Sequence, residues 1–145
     1  MKISSVLVVC IGNICRSPMG EYLLQKALGQ QIHVSSAGLG ALVGNPADDH
    51  VIALMSERQI DLSKHKARQI NAHLISTHDL ILVMTQRQKE SIEKEFPSAR
   101  GKVFRFCHWQ QADVADPYQQ NRAAFEAALT LIDEGVSAWA TRLAI

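Results

Sequence analysis

Cys10 and Arg16 are the residues of this sequence that most clearly suggest chemistry, because a thiol and a guanidinium flank one short loop. Five residues separate them, namely Ile11, Gly12, Asn13, Ile14 and Cys15. A loop that runs from a strand into a helix can direct successive backbone N–H groups at one point, and the helix N-terminus adds positive potential. We therefore expect residues 11–17 to bind phosphate or sulfate.

A cysteine at the mouth of such a loop is a candidate nucleophile. The loop amides and the helix end would stabilise the thiolate of Cys10, which is the reactive form of the side chain. The planar guanidinium of Arg16 can bind two phosphoryl oxygens and hold them more tightly in the transition state. Ser17 is close enough in sequence to donate its hydroxyl to the sulfur. These residues predict attack of Cys10 on phosphorus.

The alternative is that Cys10 is a small apolar residue at the end of a buried strand, which is the more usual role of such a cysteine. The spacing alone leaves both interpretations open. The apolar strand before the loop, Gly12-Asn13 within it and Ser17-Pro18 after it favour catalysis. A Walker-type nucleotide loop is excluded, because the sequence contains no Gly-Lys-Ser/Thr.

The elements that must position this loop alternate along the chain. Buried strands are expected at residues 3–9, 32–36, 80–84 and 102–106. The first helix is expected to begin at Pro18 with Ser17 as its N-cap and to end at Gly29. Further helices are expected at 47–59, 86–96 and 125–143, whereas 64–75 is ambiguous. This alternation predicts an α/β domain spanning residues 1–145, with helices on both faces of a four-stranded parallel sheet.

The composition bounds the functions that are possible. The 145 residues have a formal net charge of +1, and no apolar run approaches the ~20 residues of a membrane span, so we expect neither nucleic-acid binding nor membrane insertion. Three cysteines argue against a disulfide framework and for a cytoplasmic protein. Because no two of the six histidines have a metal-ligand spacing, we expect no metal and no other cofactor.

Residues 9–18, Val-Cys-Ile-Gly-Asn-Ile-Cys-Arg-Ser-Pro, resemble the signature loop of the low-molecular-weight protein tyrosine phosphatases. Residues 35–38, 65–70, 79–84 and 116–118 resemble further motifs of that family in the same order, so the resemblance covers nearly the whole chain. Residues 37–44 and 101–109 are similar to the Gram-negative enzymes that act on tyrosine kinases of exopolysaccharide or capsule export. The resemblance implies a flavodoxin-like strand order, 2-1-3-4, and a phosphocysteine intermediate.

The resemblance also implies a general acid and base, Asp116. A phenolate leaving group, whose parent pKa is about 10, requires a proton, and the same carboxyl group can later activate water. Asp116-Pro117 could instead be a simple turn. Asp113 is a rival acid three residues away, and the family register favours Asp116.

Other residues receive roles from the resemblance alone. Asn13, Ser17, Ser36 and His65 match a hydrogen-bonding network that shapes the loop. Leu39 and Tyr118 are expected to form the two walls of the substrate cleft, and Tyr118 is a candidate for phosphorylation. By contrast, Cys15, as a second cysteine in the loop, is expected on chemical grounds to protect an oxidised Cys10 by forming a reversible disulfide, although it could instead be a small buried residue that fills space.

The expected substrate is a phosphotyrosine protein, in particular a bacterial tyrosine kinase, and the enzyme is expected to be a monomer. Thiol-dependent arsenate reductases are the main alternative. They relay a disulfide through further cysteines, whereas residues 80–96 contain none and Cys107 stands alone. A phosphotyrosine-binding module or a phosphocysteine carrier is a third possibility, although binding alone would not need Cys10, Arg16 and Asp116 together.

Overall fold

A four-stranded parallel sheet forms the centre of the computed structural model, which describes residues 2–143. The strands are β1 (Ser5–Cys10), β2 (His33–Gly38), β3 (Leu80–Val83) and β4 (Val103–Arg105). Their order is β2-β1-β3-β4, and every neighbouring pair is parallel. The predicted sheet and its strand order are therefore confirmed. Met1, Ala144 and Ile145, which complete the predicted 1–145 domain, lie outside the described residues.

Helices cover both faces of this sheet. They are α1 (Arg16–Leu28), α2 (Asp49–Ser56), α3 (Ala72–Thr77), α4 (Gln86–Glu95) and α5 (Arg122–Leu143), and a short 3-10 helix spans Pro97–Ala99. The ambiguous segment 64–75 thus contains the beginning of α3, which Asn71 caps by accepting a hydrogen bond from the N–H of Leu74. No helix within residues 2–143 has both the length and the apolar composition to span a bilayer.

The two cores meet at β1, which lies between β2 and β3. Val6 and Val8 pack on one face with residues of α1, α2 and α5, whereas Leu7 and Val9 pack on the other with residues of α3 and α4. All four side chains are fully buried. Burial on both faces explains why this strand lacks the apolar-polar alternation of a half-exposed one. Cys10 therefore ends the most constrained strand of the sheet.

The start of α1 differs from the prediction. The helix begins at Arg16 and its N-cap is Cys15, which makes no capping hydrogen bond through its side chain, so Ser17 is not the N-cap. Ser17 cannot cap because its hydroxyl bonds Cys10 and Asn13 instead. The first-turn N–H groups of α1 therefore receive no side-chain acceptor, which leaves the positive end of the helix open to an anion. The predicted end is correct: Gly29 has a φ of 72° and its N–H donates to Gln25.

Helix α5 packs closely against the segment that follows β4. Gly135 is buried beside Phe106, and the indole N–H of Trp139 donates to the carbonyl oxygen of Phe106 at 2.9 Å. Phe106 in turn packs in the same core as Val8 of β1. The position of α5 is thus linked to the strand that carries Cys10.

We expect Gly135→Ala to destabilise the protein despite the higher helix propensity of alanine. The added Cβ would lie 2.5 Å from Cδ1 and 2.7 Å from the carbonyl oxygen of Phe106. The expected loss is about 1–3 kcal/mol in the free energy of unfolding, measured by urea denaturation. Ser137→Ala, on the exposed side of the same helix, is the control and should change stability by less than about 0.5 kcal/mol. Equal stabilities of the two variants would contradict this packing.

Candidate active site

The loop after β1 is held by a neighbouring segment that bonds its carbonyl groups and leaves its N–H groups free of those bonds. Four of its carbonyl oxygens accept hydrogen bonds of 2.9–3.1 Å from backbone N–H groups of the segment 39–48. The acceptor–donor pairs are Cys10–Leu39, Ile11–Gly40, Gly12–Leu42 and Ile14–Asp48. Within residues 2–143 the N–H groups of residues 11–15 donate no hydrogen bond. The loop therefore presents a set of unused donors, as an anion-binding loop must.

Gly38, the last residue of β2, allows this close packing. A Cβ there would overlap the carbonyl oxygen of Ile11 and lie 3.1 Å from the backbone nitrogen of Asn13. Gly38 also joins the loop to the segment after α2, because its N–H donates to Arg68 and its carbonyl accepts from Ile70. A side chain at this position would displace the phosphate loop, so glycine is required by contact rather than by its φ angle.

Asn13 occupies the centre of the loop and is hydrogen-bonded through every polar group of its side chain. Its backbone is left-handed, with a φ of 61°, a conformation that asparagine tolerates better than most residues. Its amide nitrogen donates to the hydroxyls of Ser17 (2.8 Å) and Ser36 (3.0 Å), and its amide oxygen accepts from the N–H of Arg68 at 2.9 Å. Nε2 of the buried His65 donates to its backbone carbonyl at 2.7 Å. The four residues expected to form a network do meet.

The network determines where two hydroxyl protons point. Because the Asn13 amide nitrogen can only donate, the oxygens of Ser17 and Ser36 accept from it and their own protons are directed elsewhere. The Ser17 hydroxyl lies 2.9 Å from Sγ of Cys10, and Ser36 donates to the carboxylate of Glu21 at 2.5 Å. The hydroxyl of Ser17 is therefore oriented to donate to the sulfur, which stabilises a thiolate.

Glu21 is a member of this network that the sequence analysis did not identify. Burial raises the pKa of its carboxyl group, and this effect is opposed by the hydrogen bond from Ser36 and by the charges of His65 and Arg68. Glu21 lies one helical turn after Ser17 on α1. In the sequence, the one feature that could have indicated Glu21 is its position four residues after Ser17. Only the fold shows that Ser36 comes close enough to donate a hydrogen bond to it.

Arg16 is almost fully buried at the base of the cleft, with 2% of its surface exposed. Nη1 donates to the carbonyl oxygen of Val114 at 2.8 Å, and Nη2 lies 3.4 Å from Oδ2 of Asp116. Within the described residues, Nε of Arg16 has no hydrogen-bond partner. A buried N–H without a partner is costly, so this donor indicates a place for an anionic oxygen.

Asp116 forms the turn that the sequence left as one alternative, and its carboxyl group also reaches the cleft. Oδ1 accepts from the N–H of Tyr118 at 3.1 Å, which forms the turn, while Oδ2 faces Arg16 in the cleft. The rival acid Asp113 lies away from the cleft lining. Its carboxylate accepts from Arg105 and from the N–H of Gln86, both at 3.0 Å, so it anchors the loop to β4 and α4.

The cleft is lined by most of the residues that the sequence analysis selected. These are Cys10, Ile11, Gly12, Ile14, Cys15, Arg16, Asp116 and Tyr118. Leu39, the other expected wall, packs instead against the core beneath β1. Leu42 takes its place in the lining because Leu39 is the residue directly after β2 and still points into the core. One wall is therefore Leu42 and the other Tyr118.

The three cysteines are free and buried. Burial, assisted by the charge of Asp48, raises the pKa of Cys15 far above its usual value. Cys107 lies outside the cleft lining, its thiol donates to the carbonyl oxygen of Leu131, and burial raises its pKa to about 11. Within residues 2–143 no three His, Cys, Asp or Glu side chains are grouped in a way that could hold a metal ion.

Known proteins are similar to this chain in both sequence and structure. A profile of the low molecular weight phosphotyrosine protein phosphatases matches residues 5–145. The probable low molecular weight protein-tyrosine-phosphatase EpsP of Ralstonia nicotianae is 48% identical over 141 residues, which are 97% of each chain. Wzb of Vibrio vulnificus, solved in complex with benzylphosphonate, superposes with a TM-score of 0.93 at 44% identity and covers 97% of this chain and 99% of its own.

A less similar solved structure belongs to a phosphatase that is named for a different substrate, arginine. The YwlE arginine phosphatase of Geobacillus stearothermophilus superposes with a TM-score of 0.91 at 30% identity, covering 97% of this chain and 92% of its own. The loop geometry, the profile match and these relatives agree on one assignment, and the chain belongs to the low molecular weight phosphotyrosine protein phosphatase family.

Proposed function

We propose that this protein hydrolyses phosphotyrosine in a protein substrate, with Cys10 as nucleophile and Asp116 as general acid and base. One observation carries the proposal: Sγ of Cys10 lies beside the hydroxyl of Ser17, in a loop whose N–H groups at residues 11–15, like Nε of Arg16, have no hydrogen-bond partner among residues 2–143. The donors are thus arranged around the place where a phosphoryl group would meet the sulfur.

In the first half of the reaction, the Cys10 thiolate attacks phosphorus. The S–P bond forms as the bond from phosphorus to the phenolic oxygen breaks, and Asp116 transfers its proton to that oxygen. The loop N–H groups and Arg16 bind the other phosphoryl oxygens, and these bonds strengthen as charge redistributes in the transition state. The product of this half is phosphocysteine and a neutral tyrosine.

In the second half, water attacks the phosphocysteine. Asp116, now a carboxylate, accepts a proton from the water, and the S–P bond breaks to release inorganic phosphate. The departing sulfur becomes a thiolate again, and the Ser17 hydroxyl, whose proton the Asn13 amide directs towards Sγ, stabilises it. The same hydrogen bond therefore assists both halves of the reaction.

The walls of the cleft favour an aromatic phosphate ester. Ile11, Leu42 and Tyr118 supply apolar surface above the loop, and the Vibrio relative binds benzylphosphonate, an aryl analogue of the substrate. The arginine phosphatase structure makes phosphoarginine the relevant rival substrate. A guanidinium would have to be desolvated against those apolar walls, which is costly unless a charged partner meets it.

A bacterial tyrosine kinase of polysaccharide export is the proposed physiological substrate. The support is the resemblance of residues 37–44 and 101–109 to enzymes of that pathway, and the identity with EpsP and Wzb. A working thiolate requires reducing conditions, which supports a cytoplasmic location. All proposed catalytic side chains come from one chain, which supports a monomer as the functional unit.

We expect Cys10→Ser to abolish hydrolysis of phosphotyrosine peptides, with a loss of at least about 10³-fold in kcat, while inorganic phosphate still binds. Turnover is measured by phosphate release and binding by calorimetric titration. Cys107→Ala is the control, since that thiol lies outside the cleft, and it should retain activity. Near-normal turnover by Cys10→Ser would reject the nucleophile, and faster turnover of a phosphoarginine peptide by the unmodified enzyme would reject the substrate.

Variants of Asp116 and Asp113 should differ in how strongly their rates depend on the leaving group of the ester. Asp116→Asn should lower kcat/KM, which reports the first half of the reaction, by about 10²–10⁴-fold for phenyl phosphate and much less for p-nitrophenyl phosphate, whose leaving group needs no proton. Asp113→Asn weakens the anchor to Arg105 and should lower the rate by a similar small factor for both esters. The opposite pattern would make Asp113 the acid.

We also propose that Cys15 traps oxidised Cys10. Peroxide oxidises the Cys10 thiolate to a sulfenic acid, and the Cys15 thiolate then attacks its sulfur, forming the S–S bond as the S–O bond breaks and hydroxide leaves, which takes a proton from solvent to become water. Thiol reductants should restore activity, whereas Cys15→Ser should accumulate irreversible acids. Because the pKa of Cys15 is raised, its thiolate is scarce at neutral pH, so trapping should accelerate as pH rises. Mass spectrometry that finds only sulfinic or sulfonic acid at Cys10 of the unmodified enzyme would exclude this role.

A further inference from the structure

Exposed apolar side chains concentrate around the mouth of the cleft. Among residues 2–143, five large apolar side chains are exposed; Ile11, Leu42 and Tyr118 line the cleft, and Val43 directly follows Leu42 in the chain. Their exposed fractions range from 38% for Leu42 to 69% for Val43. The fifth, Trp109, is outside the cleft lining and stacks with the guanidinium of Arg142. We call these four residues the apolar rim.

The Leu42 side of the rim is fixed to the phosphate loop itself. The N–H of Leu42 donates to Gly12 at 3.1 Å, and the N–H of Asn45 donates back to Leu42 at 2.9 Å. The side chain of Gln69 holds the same segment, accepting from Ala41 at 2.8 Å. Because this surface is already ordered, a substrate that binds it would not have to order the enzyme, which favours affinity.

The rim residues themselves are uncharged, and the exposed Lys66 and Arg68 flank Ala67, whose backbone pairs with Gly44 and Asn45 beside the rim. Neither the segment 39–45 nor the segment 117–121 contains a lysine or an arginine. Arg16 is buried beneath the phosphate site, whereas the side chain of Asp116 is 45% exposed. An acidic residue beside the phosphotyrosine would therefore have to be desolvated against apolar surface, and it would find no cation on these two segments.

We propose that the apolar rim is a docking surface for the residues that flank the phosphotyrosine of the substrate protein, and that it selects apolar flanks over acidic ones. The proposal rests on the phosphotyrosine phosphatase activity proposed above and names the sequence context of its substrate. The occupant is a short peptide segment with a leucine, valine or isoleucine next to the phosphotyrosine. The rim is continuous with the cleft, so a bound phosphotyrosine brings its neighbours onto it.

The test compares phosphotyrosine peptides that differ only in the two residues adjacent to the phosphotyrosine, which are leucine, serine or glutamate. We expect kcat/KM to be about 10-fold higher for leucine than for serine, which corresponds to burial of about 55 Å² of apolar surface. Glutamate should be worse than serine. The preference for leucine should persist at high salt, because burial of apolar surface does not depend on charges that salt screens.

The double variant Leu42→Ser/Val43→Ser locates the preference. Each peptide rate is divided by the rate for p-nitrophenyl phosphate, which has no flanking residues, so that a change in catalysis itself cancels. The leucine-to-serine ratio should fall to about 1–2 in this variant, whereas Trp109→Ser, an equally exposed apolar residue elsewhere, should keep the ratio of the unmodified enzyme.

The outcomes distinguish the two proposals. Equal rates for the three peptides, a preference for glutamate, or a leucine preference that survives Leu42→Ser/Val43→Ser would overturn the docking surface while leaving the phosphatase activity intact. Failure of the unmodified enzyme to hydrolyse any of the peptides and p-nitrophenyl phosphate would overturn the proposed function itself.

Discussion

The hydrogen bonds of Asn13 are the constraint on which the rest of the active site depends. Its left-handed backbone turns the loop so that the N–H groups of residues 11–15 have no partner in the part of the chain that the structure describes. Such a conformation is unfavourable for most side chains and persists only where the surroundings hold it. Here Ser17, Ser36, Arg68 and His65 do so. The same Asn13 amide also determines the direction in which the Ser17 hydroxyl donates. The shape of the loop and the hydrogen bond to the sulfur therefore both depend on Asn13.

Asp116, the proposed acid, is positioned through the phosphate site rather than independently of it. Arg16 bonds the carbonyl oxygen of Val114 with one nitrogen and approaches Asp116 with the other. The N–H of Val114 in turn donates to Met84 at the end of β3. The loop that carries Asp116 is therefore tied both to the sheet and to the guanidinium that would bind the phosphoryl group. A change in Arg16 would affect phosphate binding and the acid together.

The substrate surface depends on the phosphate loop as well. Leu42 reaches the cleft because its own N–H bonds Gly12, and Gly38 permits the approach that makes this possible. The wall of the cleft and the floor of the phosphate site thus form one rigid unit, built from the segments after β1 and β2. Rigidity of this kind suits selection by shape and apolar contact, which does not need the enzyme to rearrange.

The sequence by itself determined the sheet and the loop residues, because these follow from local signals: apolar runs, their alternation with helices and a contiguous motif. Cys10 and Arg16 belong to that motif, whereas the strand order and the choice of Asp116 came from the resemblance to the family. Only the tertiary structure decided four other features. These are the start of α1, the place of Leu42 rather than Leu39 in the cleft wall, the anchoring role of Asp113 and the part of Glu21 in the network. Each depends on a contact between distant segments, such as Ser36 with Glu21 or Asp113 with Arg105. Local sequence cannot encode which of two nearby side chains faces a cleft, since that depends on where the neighbouring chain lies.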